Sequence, residues 1–474
     1  MRNAMLYYKQ ISNPIFLMIF RQGIIQLLNI FMTIFMARSL NVSEYGYYVA
    51  ILFTLSLCVI FSGSYLVSGI IKTDSKFDYR SFASFNHLIV ISIAALVAIM
   101  LTISFLIFRF DERILFIIII GILSIYIGSF QAVPTALMEK SIQFSNIAII
   151  EILQALVFAA TAILLVINKL EIYLPLSLLI RSILGALVSQ FIYPSLPRIS
   201  RLDRKLWGLF YFGIRNQSSQ LISISKDSLM PIIIGSRFGS SMYGQMSWAQ
   251  TAATYPAMFM AILQRYYFPI FSSMNDEHDK SHNFREILWL NNIIIAPISL
   301  ILLVFSKSIV LNIFGDQWLA SMNAFYIFWV ANLFIASSVP CMSYLMASGR
   351  DELQIKFAVL WAILSWVVGL ILIQYMGPIG FAITNLVIQL TNIFLFLIVR
   401  GKIRGNFFRT IGSAWLTAVP LLAFAVILNF CFSSLELVPL LLILFILLIT
   451  HVIFITFTCR TRIRKVLNLL RGKQ

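Results

Sequence analysis

"GIRNQSSQLISISKDSLMPIIIG" (residues 213–235) is long enough to cross a bilayer, yet it is crowded with groups that hydrocarbon rejects. It carries Arg215, Lys226 and Asp227, with Asn216, Gln217, Gln220 and five serines. The polarity is periodic. Arg215, Ser219, Ser223 and Lys226 recur at four, four and three residues, which is one face of a helix. Asn216, Gln220 and Asp227 lie beside that stripe, while Ile214, Leu221 and Leu229 lie opposite. Such a helix turns one side to lipid or packing and the other to something wet.

The surrounding chain shows that the apolar side belongs in a membrane. Of 474 residues, 60% are hydrophobic and 11% charged, too little charge to cover a soluble protein of this size. A helical crossing needs about 20 mostly apolar residues. Runs bounded by charges or by Gly, Pro and Asn predict an all-α polytopic membrane protein of 14 spans. They fall near 15–36, 46–71, 82–108, 114–137, 146–168, 172–194, 209–235, 241–264, 286–306, 321–346, 353–375, 377–399, 411–432 and 437–459. The alternation of a membrane β-barrel is absent. No small-residue cleavage site follows the first apolar run, so it reads as a retained span.

Cationic side chains orient the spans. With the N-terminus cytoplasmic, 24 Lys and Arg fall in cytoplasmic segments, 6 on the opposite side and 5 within or at the edge of spans. That asymmetry follows the positive-inside rule and places both termini in the cytoplasm. Most of the formal charge of +17 is therefore topology, and the basic loops are too short and dispersed for nucleic-acid binding. Trp207, Trp289, Trp318 and Trp415 lie near span ends, where amphipathic rings collect. Cys58, Cys341, Cys431 and Cys459 have no metal-like spacing, and His87, His278, His282 and His451 are scattered. No nucleotide-binding loop or catalytic motif is present, so neither an enzyme nor a cofactor is expected. Any transport must draw on a gradient, with H+ or Na+ as the coupling ion, or on the substrate itself.

A faint repeat organises the spans. "ARSLNVSEYGYY" (37–48) and "GSRFGSSMYGQM" (235–246) align with an offset of 198 residues, each linking one span to the next. Six spans separate them, which describes a parallel repeat of two six-helix lobes. The expected divisions are 1–194, a basic linker 195–208, a second lobe 209–399, and two additional helices with a basic tail, 400–474.

The first span repeats the pattern of the seventh: Gln22, Gln26, Asn29 and Thr33 form a polar stripe with Arg21 alongside. These two faces are expected to line a shared aqueous cavity. Five cations lie in or near spans (Arg21, Arg181, Arg215, Lys226, Arg265) against the acids Glu151 and Asp227. A charge at mid-bilayer costs roughly 2.5–3.5 kcal/mol on insertion scales, so such residues usually serve a cavity or a partner. A lining with excess cations favours an anion, and guanidinium groups suit phosphates through paired hydrogen bonds. Bland readings stand beside this one. Lys226 could be neutralised by Asp227 or Glu151, Arg181 could pair with Glu151, and Arg21 and Arg215 could reach the interface by snorkelling. Trp248 and Tyr255 share a face of span eight, either as packing or as a wall for sugar rings.

With "KDSLMPIIIGSRFGSSMYGQMSWA" (226–249), "YYFPIFSSM" (266–274), "IFGDQW" (313–318) and "MASGR" (346–350), the whole chain resembles the bacterial polysaccharide repeat-unit flippases. These belong with multidrug exporters in one superfamily. The resemblance implies two six-helix lobes in a V, in the bacterial cytoplasmic membrane. It implies transfer of an undecaprenyl-diphosphate-linked oligosaccharide, for O-antigen, capsule or exopolysaccharide, from inner to outer leaflet. Implied partners are that lipid-linked oligosaccharide and membrane lipid, with a polysaccharide polymerase and a chain-length regulator. The expected binding set is Arg21, Gln22, Gln26, Asn29, Arg181, Arg215, Asn216, Ser219, Ser223, Lys226, Trp248 and Tyr255, with Asp227 and Glu151 as coupling-ion candidates and no metal. Asp227 matches an acidic position of that family, but here it follows a lysine, which puts cation coupling there in doubt. A multidrug-type antiporter is the alternative, and a membrane-bound glycan polymerase or transferase a weaker one. The cation excess disfavours the first and the short loops the second.

Overall fold

The computed structural model describes residues 2–64, 70, 79–107, 112–141, 143–197, 204–272, 274, 276–350, 352–403, 405–432 and 436–464. Within its helices, side chains are described except at 2–19, 64, 96–107, 204–206, 209–210, 212, 214–219, 259, 261–263, 265–266, 268–269 and 277. All regular elements among the described residues are helical.

The chain divides into two compact units, Met1–Ile224 and Ser225–Gln474. The first contains α1 (Arg2–Ser39), α2 (Val42–Val59), α3 (Tyr79–Ile107), α4 (Glu112–Lys140), α5 (Phe144–Ile167) and α6 (Leu176–Ile192). The boundary falls within α7 (Arg204–Asp227), not in the expected linker. The reason is visible at its start, where the Trp207 ring meets Phe85 of α3 edge-on at 5.2 Å.

The second unit continues with α8 (Ser236–Ser272), α9 (Glu277–Val304), α10 (Met322–Leu333), α11 (Ile335–Ala347), α12 (Glu352–Met376), α13 (Ile379–Leu390) and α14 (Asn392–Arg400). The two additional spans are α15 (Phe407–Leu416) with α16 (Val419–Cys431), and α17 (Leu437–Thr458). They pack within the second unit. Leu421, Ala425, Leu440 and Leu447 bury against Ile301 and Phe305 of the α9 end.

Ten helical stretches among the described residues are long and apolar enough to cross a membrane. They coincide with ten of the fourteen expected spans. The other four, 82–108, 172–194, 209–235 and 241–264, fall on α3, α6, α7 with the turn after it, and α8. Helix α6 is short at 17 residues, and α7 is interrupted by polar groups along its length. The chain is a multi-pass membrane protein, and the figure of fourteen remains an expectation.

Local chemistry explains where these helices begin and end. At the first link Asn41 caps α2: its side chain accepts from the Glu44 amide, and the Glu44 carboxylate accepts from the Asn41 amide. Adding 198 to Asn41 gives Gly239, where the second link breaks with φ +84. One link starts the next helix with a capping side chain, and the other breaks helical geometry with a residue that adopts positive φ without strain. After α7, Pro231 lacks the amide that would continue the α pattern, and a π-type turn, Met230–Gly235, follows.

Candidate functional site

In the first unit the charged residues meet across three helices. Arg21 of α1, only 4% exposed, sends Nη1 to Glu151 Oε2 of α5 at 2.5 Å. Its Nε is buried and, among the described residues, makes no hydrogen bond. Arg181 of α6 lies within electrostatic reach of Glu151 but forms no ion pair among the described residues. The pairing of Arg181 with Glu151 weighed from the sequence is thus replaced by Arg21 with Glu151. A fourth charge, Glu139 of α4, lies within reach of Glu151 and Arg21. The sequence reading passed over it because it sits beside Lys140 at a span end and looks like a loop charge.

A second polar layer ties the same helices. Gln154 Nε2 donates to Gln131 Oε1 at 2.9 Å and to the Arg181 carbonyl at 3.4 Å. Gln131 Nε2 returns a long contact of 3.5 Å to Gln154 Oε1. An amide pair inside apolar spans is stable only when its hydrogen bonds are made, so this layer fixes α4, α5 and α6 in register. Two glutamines at mid-span were the available signal, and the sequence reading did not use it. Of the α1 stripe, Gln22 and Gln26 are half-buried and Asn29 is exposed. A cleft of about 490 Å³ in this unit lies elsewhere, lined by Phe35, Ser39, Glu44, Lys169 and Glu171 among others, and includes none of the expected residues.

In the second unit the end of α7 carries the charges. Lys226 Nζ reaches Asp227 Oδ1 at 2.6 Å, with the two side chains 25% and 55% exposed. Successive residues within a helix do not face each other, and this pair forms where the helix is ending. Two donors from α12 secure that end: Trp366 Nε1 gives to the Ser225 carbonyl at 2.9 Å and Ser365 Oγ to the Lys226 carbonyl at 3.1 Å. The neutralisation of Lys226 by its neighbour, weighed from the sequence, is the arrangement found. Ser223 is half-buried. The side chains of Arg215, Asn216 and Ser219 lie outside the described residues.

Trp248 corrects one expectation. It is fully buried, stacked on Trp318 at 5.2 Å with an 18° interplanar angle and edge-on to Phe314 at 5.4 Å. Tyr255 lies parallel to Phe314 at 6.5 Å. The "IFGDQW" segment therefore supplies the rings that close over α8, and Trp248 offers no free face to a sugar. Its residue type and helical spacing were compatible with both roles, and burial decides for packing.

These features place the chain among known proteins. Residues 35–323 match the family described as "Polysaccharide biosynthesis protein". The lipopolysaccharide biosynthesis protein WzxC of Escherichia coli K12 is 27% identical over 298 residues, 59% of this chain and 58% of its own. An uncharacterized membrane protein in the cps region of Klebsiella pneumoniae is 26% identical over 269 residues, 55% of each chain. The matched part thus spans a little over half the length of these relatives. Among solved structures, the lipid II flippase MurJ in an inward closed conformation matches with TM-score 0.71 and 13% identity, covering 94% of this chain and 99% of that one. The eukaryotic MATE transporter AtDTX14 matches with TM-score 0.54 and 13% identity, over 86% and 98%. A chain of this helical plan, with charges and amides paired inside its spans and a match over most of its N-terminal two thirds, belongs to the polysaccharide biosynthesis protein family.

Proposed function

We propose that the chain is a flippase that moves an undecaprenyl-diphosphate-linked oligosaccharide repeat unit from the inner to the outer leaflet of the bacterial cytoplasmic membrane. The observation that carries this reading is that a member of the polysaccharide biosynthesis family has, over 94% of its length, the fold of a lipid II flippase. The mechanism is alternating exposure of a cationic central cavity, which requires different substrate affinities in the two states.

The ion pairs supply a means of changing that affinity. Arg21 is held by Glu151 and Lys226 by Asp227. In this reading the carboxylates are placeholders for the substrate's phosphates. An arriving diphosphate displaces them and takes bidentate hydrogen bonds from the guanidinium. Arg181, with no carboxylate at bonding distance among the described residues, receives it first. Glu151, released from Arg21, leaves the guanidinium free to hold the phosphate. Lys226 lies about 16 Å along the helix axis from Arg215, so the two form successive stations. Both termini are cytoplasmic, and a polymerase and chain-length regulator take the product outside.

The test is export in a cell lacking its own flippase. Arg215→Ala and Lys226→Ala should each abolish export while protein levels hold. Normal export by both single variants and the double variant would reject the cationic path.

A further inference from the structure

The turn joining α14 to α15, "RGKIRGNFFR" (400–409), carries four cations and no acid. It is firmly seated. Ile403 and Phe407 are buried in the aromatic cluster of Phe271, Phe284 and Tyr344, and the Phe407 ring lies parallel to Phe284 at 6.4 Å. That seat brings a fifth cation to the turn. Arg285, next to Phe284, lies so close to Gly405 (φ +112) that an added Cβ would clash with its Nη1. Arg285 Nε is buried with no hydrogen bond among the described residues. Arg400 sits over the exposed Phe408 ring at 5.6 Å, and Arg409 is exposed.

Among the described residues, Arg285, Arg400 and Arg409 form no ion pair. The acid next to Arg285, Glu286, is already bound by Arg462 at 2.6 Å. Positive-inside topology explains why cations lie on this side of the membrane. It does not explain a guanidinium folded against a glycine beside a turn of like charge. The first amides of the helix that begins here are donors like the guanidinium groups and cannot partner them, and Asn406 accepts from one of these amides, that of Arg409. What the arrangement lacks is an anion with several acceptor oxygens beside the exposed Phe408 ring.

We propose that Arg285, Arg400 and Arg409 form a binding site for the phosphate of an anionic bilayer phospholipid at the cytoplasmic foot of the second unit. Basic pockets between helices on the cytoplasmic side bind such head groups. The bound lipid bridges the six-helix lobe, through α14 and α9, to the two additional helices through α15. This site does not depend on the export reading. The same phosphate chemistry exists in a prenyl diphosphate carrier, and the site is assigned to the bilayer lipid because Phe408 and the turn lie at the span ends.

Native mass spectrometry of the full chain tests the assignment, with phosphatidylglycerol, phosphatidylcholine or farnesyl diphosphate added at equal concentration to the detergent-purified protein. Wild type should retain phosphatidylglycerol over phosphatidylcholine. Arg285→Gln and Arg409→Gln should each lower that retention about fivefold. Arg409 is exposed, so its variant leaves the packing intact, and Arg38→Gln, an exposed arginine of α1, should change nothing. Equal retention of the two phospholipids, or unchanged retention in both variants, would overturn the site. Displacement of phosphatidylglycerol by farnesyl diphosphate would overturn its assignment to the bilayer.

Discussion

Arg21 is held almost out of contact with solvent by one carboxylate oxygen of Glu151, whose own side chain is 37% exposed. Removing one partner of a buried ion pair costs about 3–5 kcal/mol, because the other is left uncompensated. The exposure of Glu151 lowers that figure through solvent screening. Glu151→Gln should therefore destabilise the purified protein by about 2–3 kcal/mol, seen as a lower thermal midpoint. Arg21→Gln with Glu151→Gln should recover most of the loss, since two neutral amides can hydrogen-bond to each other. Additive losses in the double variant would show that the two side chains do not act as a pair. The sequence made both charges legible as groups needing a partner or a cavity. It did not tell which arginine Glu151 would take, because that depends on how α1 and α6 are rotated about their axes. Trp248 was ambiguous for the same reason. Its spacing defines a face, and only the rings of Phe314 and Trp318, over 60 residues away in sequence, decide what covers it.

Helix α9 works as a strut with polar contacts on two sides. Asn291 donates to the Ala336 carbonyl of α11 at 3.3 Å and accepts from the Tyr267 hydroxyl of α8. Asn292 donates to Ser337 Oγ at 3.1 Å and accepts from Trp415 Nε1 of α15 at 3.0 Å. One turn and a half earlier, Glu286 binds Arg462, which also lies over the Trp289 ring at 4.5 Å. The additional helices are thus attached to the lobe by named bonds as well as by apolar contact. Trp415→Phe should cost about 1 kcal/mol, the usual net value of one hydrogen bond, because Ser337 remains beside the Asn292 oxygen. Arg462→Gln leaves the Glu286 carboxylate, 10% exposed, without its cation and should cost about 3 kcal/mol. Both variants should speed amide hydrogen exchange in Leu437–Thr458, with Arg462→Gln the larger effect. Unchanged exchange in both would mean that apolar packing alone holds these helices. Trp415 and Trp289 were read from the sequence as interfacial anchors, and both also bond within the protein. Their partners lie 123 and 173 residues distant, beyond what local pattern can supply.

At the scale of the whole molecule, apolar run length carried most of the fold, because bilayer thickness acts on sequence directly. The 198-residue repeat remains an expectation that rests on two short links, and the chain leaves helical geometry at Asn41 in one and at Gly239 in the other. Span count was less legible. Helix α7 carries as many polar groups as a soluble helix, and α6 is short, so composition alone does not define them as crossings. If α1 faces water as proposed, cysteines placed at Gln22 and Gln26 in a cysteine-free background should react with a membrane-impermeant maleimide. Protection of both would show that face to be dry. The central claim is that cations within the spans, of which Arg21 and Lys226 are paired with carboxylates, receive the phosphates of a lipid-linked glycan. Its most direct test is transfer of a fluorescent undecaprenyl-diphosphate oligosaccharide between leaflets of proteoliposomes. Wild type should move the lipid, and Arg21→Gln and Lys226→Ala should each slow it at least about tenfold, the equivalent of one lost charge-assisted contact of about 1.4 kcal/mol. Transfer at the wild-type rate by both variants, correctly folded and reconstituted, would contradict the account.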